Sequence, residues 1–153
     1  MLDSRSSIQA EIEHAAAFRA ELRRFLARTE TATTDAGLTP QRYDLLLAIK
    51  AAGGKATINE LCSYLEMRQT AVTELVKRAE EAKLTVRTQS TVDRRVVLVT
   101  ITPEAETRLR HGFDALNDDR LALAVALELL AKTARGPVPE LHPVLGFERP
   151  PTA

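Results

Sequence analysis

The stretch from residue 57 to residue 101 constrains the fold of this chain more than any other part of the sequence. It begins with Thr57-Ile58-Asn59-Glu60, where the Thr57 hydroxyl and the Glu60 carboxylate can both satisfy free amides at a helix start. Apolar residues then recur at the spacing of one helix face: Ile58, Leu61, Cys62 and Leu65. The pattern predicts a short helix that ends at about Glu66.

A second helix is predicted from about Arg68 to Lys83. Its buried side would carry Ala71, Val72, Leu75, Val76 and Ala79. The opposite side is polar and carries Gln69, Thr70, Thr73, Glu74 and Lys77. Amide and hydroxyl groups on short side chains can read base edges when a helix lies in the major groove of DNA.

After Leu84 the sequence changes from a helical period to an alternating one. Val86 lies between polar neighbours, and the run 96–101 is almost wholly β-branched, so both segments favour strands. The connecting segment, residues 90–95, contains no glycine but carries two adjacent arginines. Two short helices followed by a hairpin with a charged tip are the outline of a winged helix-turn-helix.

Several residues of this region also occur together in one protein family: Leu38-Thr39, Leu61, Thr70, Val72-Thr73, Leu84, Arg87, Asp93-Arg94-Arg95 and Thr100-Ile101-Thr102-Pro103. Through them the chain resembles, over roughly residues 38–110, the multiple-antibiotic-resistance-regulator (MarR) family of bacterial transcription factors. The most specific part is Asp-x-Arg in the wing, followed by a strand and Thr-Pro. The resemblance implies a mostly α-helical protein with a small β-hairpin wing and with dimerisation helices at both ends.

Two positions depart from the family pattern. Lys83 and Ala105 stand where the family usually has glycine. The first departure is expected to change how the second helix is capped. Neither removes a group that would contact DNA.

The segments that flank this region also favour helices. Residues 5–31 are predicted to form one long helix with an apolar side, which we interpret as half of a dimer interface or as a lid over the core. Residues 29–37 are polar and rich in threonine, and are predicted to be a linker. Thr39 and Pro40 would begin the next helix and Gly53-Gly54 would end it. Its inward residues would be Tyr43, Leu46, Leu47, Ala48 and Ile49.

Beyond the wing, Thr102-Pro103 is predicted to cap another helix, whose inner stripe would contain Leu109, Phe113 and Leu116. Asn117-Asp118-Asp119 interrupts the pattern, and the helix is expected to bend or restart there. Residues 121–131 carry a single charge, so this last helix would need to be covered, and the resemblance implies a partner subunit. The tail 136–153 holds five of the seven prolines and cannot be helical; we expect it to lie along the dimer surface or to be flexible.

The predicted organisation is therefore a single unit, residues 1–135, followed by the proline-rich tail. Its DNA-binding lobe would span about residues 38–102, and its dimerisation helices would span residues 5–31 and 103–135. A hydrophobic content of 44% suits a globular chain, and no segment is apolar over the ~18 residues of a membrane span. With one cysteine and no signal peptide, the sequence favours a cytoplasmic protein.

The chain has no net charge, but its charged residues are distributed unevenly along the sequence. Residues 68–95 contain seven Lys or Arg and four Asp or Glu, a surplus that the rest of the chain cancels. A basic strip on a neutral protein suits a dimeric DNA-binding protein, because two copies double the phosphate contacts. A solvated surface without function is the alternative.

The candidate DNA contacts follow from these positions. Base reading is assigned to Gln69, Thr70 and Thr73, and phosphate binding to Arg68, Lys77 and Arg78. Arg95 and Arg94 would reach the minor groove, where narrow A·T-rich DNA attracts guanidinium groups. Asp93 is expected to brace an arginine, because phosphate would repel its carboxylate. For each residue, an ordinary surface polar group is the alternative.

The sequence contains few residues that would indicate redox sensing, metal binding or catalysis. Cys62 is either an oxidation sensor, as in some members of the family, or an inert packed thiol, which its place on the inner stripe favours. His14, His111 and His142 show no metal-ligand spacing. No nucleophile motif, P-loop or dinucleotide fingerprint is present, so we expect neither a cofactor nor an enzyme.

The leading hypothesis is a homodimeric transcriptional regulator, more often a repressor in this family, bound to a pseudo-palindromic site in double-stranded DNA. By resemblance, a small aromatic or anionic effector would bind between the two lobes, and Phe18, Leu22, Tyr43 and Leu46 are the candidate pocket residues. A winged-helix adaptor without specific DNA binding is the alternative, suggested by the neutral charge and by Glu74. An enzyme is a distant third.

Overall fold

The computed structural model describes the backbone of residues 2–133 and the side chains of residues 8–132. The elements in chain order are α1 (Leu2–Asp35), α2 (Pro40–Ala51), β1 (Lys55–Ala56), α3 (Ile58–Leu65), α4 (Gln69–Glu81), β2 (Thr85–Gln89), β3 (Val97–Ile101), α5 (Pro103–Ala115) and α6 (Asn117–Thr133). The strands form one antiparallel sheet in the order β1-β3-β2. The predicted fold class, mostly α with a small β wing, is confirmed.

Helix α2 lies at the centre of the core. Thr39 caps its start by accepting a hydrogen bond from the Arg42 amide at 3.3 Å, and Pro40 supplies the first turn. Leu45, Leu46 and Ile49 are completely buried among the surrounding helices and strands. Because it is enclosed on several sides, this helix buries Leu45 as well, a residue outside the predicted stripe. The predicted Leu47 is only half-buried.

Helices α3 and α4 form the predicted helix-turn-helix. Glu60 accepts a hydrogen bond from the Thr57 amide at 2.7 Å, and the Thr57 hydroxyl accepts one from the Glu60 amide at 3.2 Å, so the predicted capping box is confirmed. Four of the five predicted core residues of α4 are buried: Val72, Leu75, Val76 and Ala79. The fifth prediction, Ala71, is wrong. It is exposed, because one residue of helix turns the side chain by about 100° away from Val72.

The wing is the hairpin of β2 and β3, paired from Thr85 with Ile101 to Gln89 with Val97. A third strand, β1, pairs with the other edge of β3 through Lys55 and Thr100. The sequence did not indicate this strand, because two residues are too short to show alternation.

The segment 29–37 is not a linker, because α1 continues to Asp35. A turn follows the helix, and Gly37 in that turn has a φ of 72°. Thr29 and Thr33 are buried, and their hydroxyls donate to the carbonyl oxygens of Phe25 and Glu30 at 2.9 and 3.1 Å. Threonine has a low helix propensity, but packing of this last turn against the core outweighs it. The predicted linker is therefore corrected to the inner end of a longer helix.

The predicted break in the C-terminal helices is present, since α5 ends at Ala115 and α6 begins at Asn117. Phe113 is not on the inner stripe: 43% of it is exposed. Gly112 takes the inner position, where a Cβ atom would lie 3.3 Å from the Tyr43 ring, so α5 approaches α2 closely. The guanidinium of Arg120 lies 3.7 Å from the centre of the Phe113 ring and donates to the Phe113 carbonyl.

Helices α1 and α6 pack against each other and still expose apolar side chains on their outer faces. An ion pair between Arg28 and Asp119, with 3.5 Å between Nε and Oδ1, joins them. The exposed residues, here called the outer apolar face, are Ile8, Ile12, Phe18, Leu22, Leu26, Leu121, Val125 and Leu129. The predicted proline-rich tail, 136–153, lies outside the described residues.

Candidate nucleic-acid interface

The outer face of α4 carries the residues assigned to base reading. Gln69, Thr70 and Thr73 are all exposed in its first turns, while the apolar side of the helix is buried in the lobe. Thr70 and Lys77 are two turns apart, so they lie on the same side. The structure therefore presents a row of short polar groups to solvent along one helix, as a major-groove reading helix requires.

The residues assigned to phosphate binding differ in whether their side chains are already paired within the protein. Arg68 is the N-cap residue of α4 but makes no side-chain capping bond, and Lys77 is exposed. Arg78 forms an ion pair with Glu74, with 3.2 Å between Nε and Oε1. This pair offsets the charge of Glu74, the residue that argued against DNA at this face.

The wing tip is ordered by side chains that hydrogen-bond its backbone. The Ser90 hydroxyl accepts from the amides of Val92 and Asp93 at 3.2 and 3.4 Å. Asp93 Oδ1 accepts from the Arg95 amide at 2.9 Å. Asp93 thus braces the backbone of Arg95, whose exposed side chain makes no ion pair among the described residues. The tip holds a defined shape before anything binds it.

Two contacts fix the wing to the end of α4. Arg87 pairs with Glu80, with 3.1 Å between Nε and Oε2. Lys83 adopts the left-handed conformation, with a φ of 58°, and its amide donates to the Glu80 carbonyl at 2.8 Å. The sequence already shows that position 83 is not glycine. The Arg87–Glu80 pair could not be predicted in the same way, because it joins a strand to a helix and no periodic pattern indicates it.

Thr102 connects this junction to α5. Its hydroxyl donates to the Lys83 carbonyl at 2.9 Å and accepts from the Ala105 amide at 3.1 Å. Its own amide donates to the Leu84 carbonyl at 3.0 Å. One residue therefore joins the segment after α4 to the start of α5.

The charge surplus of residues 68–95 persists after pairing. The Arg78–Glu74 and Arg87–Glu80 pairs neutralise two cations and two acids. Five cations and two acids without an ion pair remain among the described residues of this range: Arg68, Lys77, Lys83, Arg94 and Arg95, against Glu81 and Asp93. The surface of α4 and the wing therefore attracts polyanions.

A separate cavity of about 360 Å³ lies between α2 and α5. Its apolar wall is formed by Leu47, Leu109 and Phe113. Lys50 in its lining pairs with Glu106, with 2.8 Å between Nζ and Oε1. Arg110 and Asp114, the other two charged residues of the lining, form no ion pair among the described residues. Sequence reasoning missed this cavity, because its charged residues are far apart in the chain.

The residues predicted for an effector pocket do not meet within one chain. Tyr43 and Leu46 are buried in the core, and Tyr43 lies near Gly112, as does Ala36. Phe18 and Leu22 are exposed on α1, at least about 20 Å along the helix from Ala36 at 1.5 Å per residue. Burial raises the pKa of the Tyr43 phenol above its ordinary value, and the nearby Arg120 guanidinium offsets only part of that rise.

Cys62 is half-buried and packs against the core, as an inert thiol would. The oxidation-sensor hypothesis is not tested by this position. Within residues 8–132, no three His, Cys, Asp or Glu side chains gather in a way that could hold a metal ion. None of the described helices combines the length and the apolar character needed to cross a membrane.

The helix-turn-helix with its three-stranded sheet and basic wing defines the class as a winged helix-turn-helix protein. Residues 36–96 match the model of the MarR family. The chain is also 32% identical over 75 residues to the HTH-type transcriptional repressor MdtR of Bacillus subtilis. That match covers 49% of this chain, and the chain spans about half of the relative's length, 48%. The resemblance to the MarR family is confirmed.

Solved structures share the fold. A cysteine-to-serine mutant of MarR from E. coli, complexed with operator DNA, is 18% identical, with a TM-score of 0.64 over 81% of this chain and 94% of that one. BpsR of Bordetella bronchiseptica, whose DNA binding is regulated by 6-hydroxynicotinic acid, is 22% identical, with a TM-score of 0.59 over 75% of this chain and 87% of that one. The chain therefore has the winged-helix fold of these structures.

Proposed function

We propose that this protein is a homodimeric transcriptional regulator that binds a pseudo-palindromic site in double-stranded DNA and acts as a repressor. The observation that carries the proposal is the exposed polar face of α4 beside an ordered wing, whose two arginines form no ion pair with any described residue. These elements lie within or next to the part of the chain that matches the MarR family model. The proposed ligand is chromosomal DNA, so the proposed location is the cytoplasm.

The proposed dimer uses the outer apolar face of α1 and α6. Helix α1 has 34 residues, so it is about 50 Å long, and none of its residues 8–28 is buried. Leu121, Val125 and Leu129 repeat at four-residue steps on α6 and are 56–60% exposed. Apolar stripes on two adjacent helices support an interface with a second copy. In that dimer, the two α4 helices would enter successive major grooves about 34 Å apart.

The proposal also includes a small-molecule effector that binds in the cavity between α2 and α5. The cavity between α2 and α5 has an apolar wall for an aromatic ring and the Arg110 guanidinium for a carboxylate. It lies between the DNA-binding lobe and the C-terminal helices, where a ligand could favour one spacing of the two α4 helices. It would act only through different affinities for the two spacings. The regulation of the similar BpsR by 6-hydroxynicotinic acid supports an effector of this chemistry.

Selection from fragmented genomic DNA tests the proposal. The purified protein is mixed with fragments at several salt concentrations, and the bound fragments are sequenced. A regulator enriches a discrete palindromic site, with an affinity that falls steeply as salt rises. The alternative, a winged-helix adaptor, is suggested by the net charge of +0 and by Glu74 on α4. An adaptor would enrich no site, and that outcome would refute the proposal.

Two substitutions test the assignment of the interface on the selected site. Arg95→Ala should weaken binding several-fold and flatten the salt slope by about one phosphate contact, whereas Thr73→Ala should relax preference at one position of each half-site. Arg24→Ala, at an exposed arginine on α1, is the matched control and should leave both unchanged. Unaltered binding by both interface variants would show that another surface reads the DNA.

A further inference from the structure

The wing tip exposes an apolar side chain that the assignments above leave unexplained. Val92 is 96% exposed, the highest value among the exposed large apolar residues that the structure describes. It does not belong to the outer apolar face, whose members lie on α1 and α6. Single exposed apolar residues are common on protein surfaces, so exposure alone says little. What distinguishes Val92 is its setting.

Val92 is held in place by its neighbours. Its own amide donates to the Ser90 hydroxyl at 3.2 Å, and the Val96 amide donates to the Asp93 carbonyl at 2.9 Å, closing a turn directly after it. The Ser90 amide donates to the Val96 carbonyl at 2.9 Å and closes the base of the loop. A loop with this many internal hydrogen bonds presents its side chains in a fixed arrangement. Little conformational entropy is therefore lost when the Val92 methyl groups are buried.

The surroundings of Val92 are cationic. Arg94 and Arg95 follow within three residues, both exposed and without an ion pair among the described residues, while the Asp93 carboxylate is turned to the Arg95 amide. An apolar tip beside two such guanidinium groups fits a narrow groove with phosphate walls. The guanidinium groups can donate to the acceptors at the groove edges, and the methyl groups can contact its floor and sugars.

Minor-groove chemistry then favours one kind of base pair. An A·T pair presents only acceptors there, whereas a G·C pair adds the 2-amino group of guanine, a donor that projects from the groove floor. The Val92 methyl groups can neither accept a hydrogen bond from that amino group nor leave room for its water. Contact with guanine would leave a buried donor unpaired.

We propose that Val92 enters the minor groove at the tip of the wing and selects against base pairs that carry a guanine 2-amino group. The inference rests on the proposed function and adds a specificity-determining residue to it. Val92 acts by exclusion, while the arginines supply attraction. It accounts for an apolar side chain at a point where phosphate binding alone would favour another polar group.

Base analogues test the proposal directly. On the selected operator, the base pair under the wing is located by footprinting and replaced in turn by A·T, inosine·C, G·C and 2,6-diaminopurine·T. Inosine·C lacks the minor-groove amino group but has the major-groove pattern of G·C, and diaminopurine·T has the opposite combination. Wild-type protein should bind A·T and inosine·C equally and bind the other two roughly tenfold more weakly.

Val92→Asn supplies an amide that can accept from the amino group, so the discrimination should shrink to within about twofold. Val97→Asn, at another partly exposed valine on β3, is the matched control and should discriminate as wild type does. Thermal unfolding midpoints verify that both variants are folded.

Three results overturn the inference: pairs ranked by their major-groove pattern, equal affinity for all four pairs, or full discrimination retained by Val92→Asn. If the protein selects no operator at all, the proposed function fails with it. If an operator is found and the wing position is indifferent to the amino group, only the role of Val92 fails.

Discussion

The predicted DNA-binding lobe buries most of its large apolar side chains, whereas the helical arms expose many of theirs. Within residues 38–102, α2, α3, α4 and β3 each contribute completely buried large side chains to one core, among them Leu46, Leu61, Val76 and Val99. In the arms, α1 and α6, many apolar residues of similar size are 36–60% exposed. The lobe therefore closes its core within one chain, whereas the arms keep exposed apolar surface that the proposed second copy would cover.

If the proposed dimer forms through the arms, the lobe and the arms should respond differently to protein concentration. Lobe stability should be a property of the single chain, and arm interactions should depend on protein concentration. Three substitutions test this contrast, and the change expected in each measurement decreases from the first to the third.

Leu46→Ala should lower the free energy of unfolding by about 3 kcal/mol, because it leaves a cavity at a completely buried position. Urea denaturation measures the loss. Sedimentation velocity under native conditions should show the same monomer–dimer equilibrium as wild type. A loss below about 1 kcal/mol would mean that the core of the lobe can collapse around the missing atoms.

Val125→Ala should weaken the dimer without unfolding the chain. Each protomer loses about 1 kcal/mol of apolar burial at the proposed interface, so two copies raise the dissociation constant about 30-fold. Analytical ultracentrifugation over a dilution series measures the change, and far-ultraviolet circular dichroism verifies the helical content. Lys132→Ala, a charged position on the same helix, is the control. An unchanged dissociation constant would place the interface elsewhere.

Lys83→Gly should stabilise the lobe by about 1 kcal/mol, because glycine adopts the left-handed conformation of this residue without a steric penalty. The unfolding midpoint measures the gain. Ala82→Gly is the matched control: Ala82 has a φ of −83°, so glycine there should destabilise the protein slightly. If the two substitutions shift the midpoint in the same direction, backbone strain at Lys83 is not the cause.

Sequence reasoning succeeded where the determining interactions are local. The capping box of Thr57 and Glu60 joins residues three apart, and the Gly53 turn and the break at Asn117 are also encoded by neighbouring residues. The face of α4 that carries Thr70, Thr73 and Lys77 followed from helical periodicity alone, although its contact with DNA stays a prediction.

Predictions from the sequence were wrong where contact with a distant element determines whether a residue is helical or buried. The threonine-rich segment 29–37 has the composition of a linker, yet packing of α1 on the core keeps it helical to Asp35. Phe113 fits the stripe of α5, but close approach of α2 gives the inner position to Gly112 and leaves the ring exposed. The suggested effector residues do not meet within one chain, because periodicity indicates which face of a helix is apolar and not what covers that face; their role in binding an effector stays a prediction.

The order of the helices and of the two wing strands, the caps of several helices and the polar face of α4 could all be predicted from the amino-acid sequence. Those features depend on groups within a few residues of one another, whose relative positions the backbone fixes. Three other features depend on how the elements pack: β1 joins the sheet, Lys50 and Glu106 meet at a cavity, and Val92 is almost fully exposed on the wing. These contacts join residues far apart in the chain or depend on what is left uncovered, and both follow only from how the elements pack.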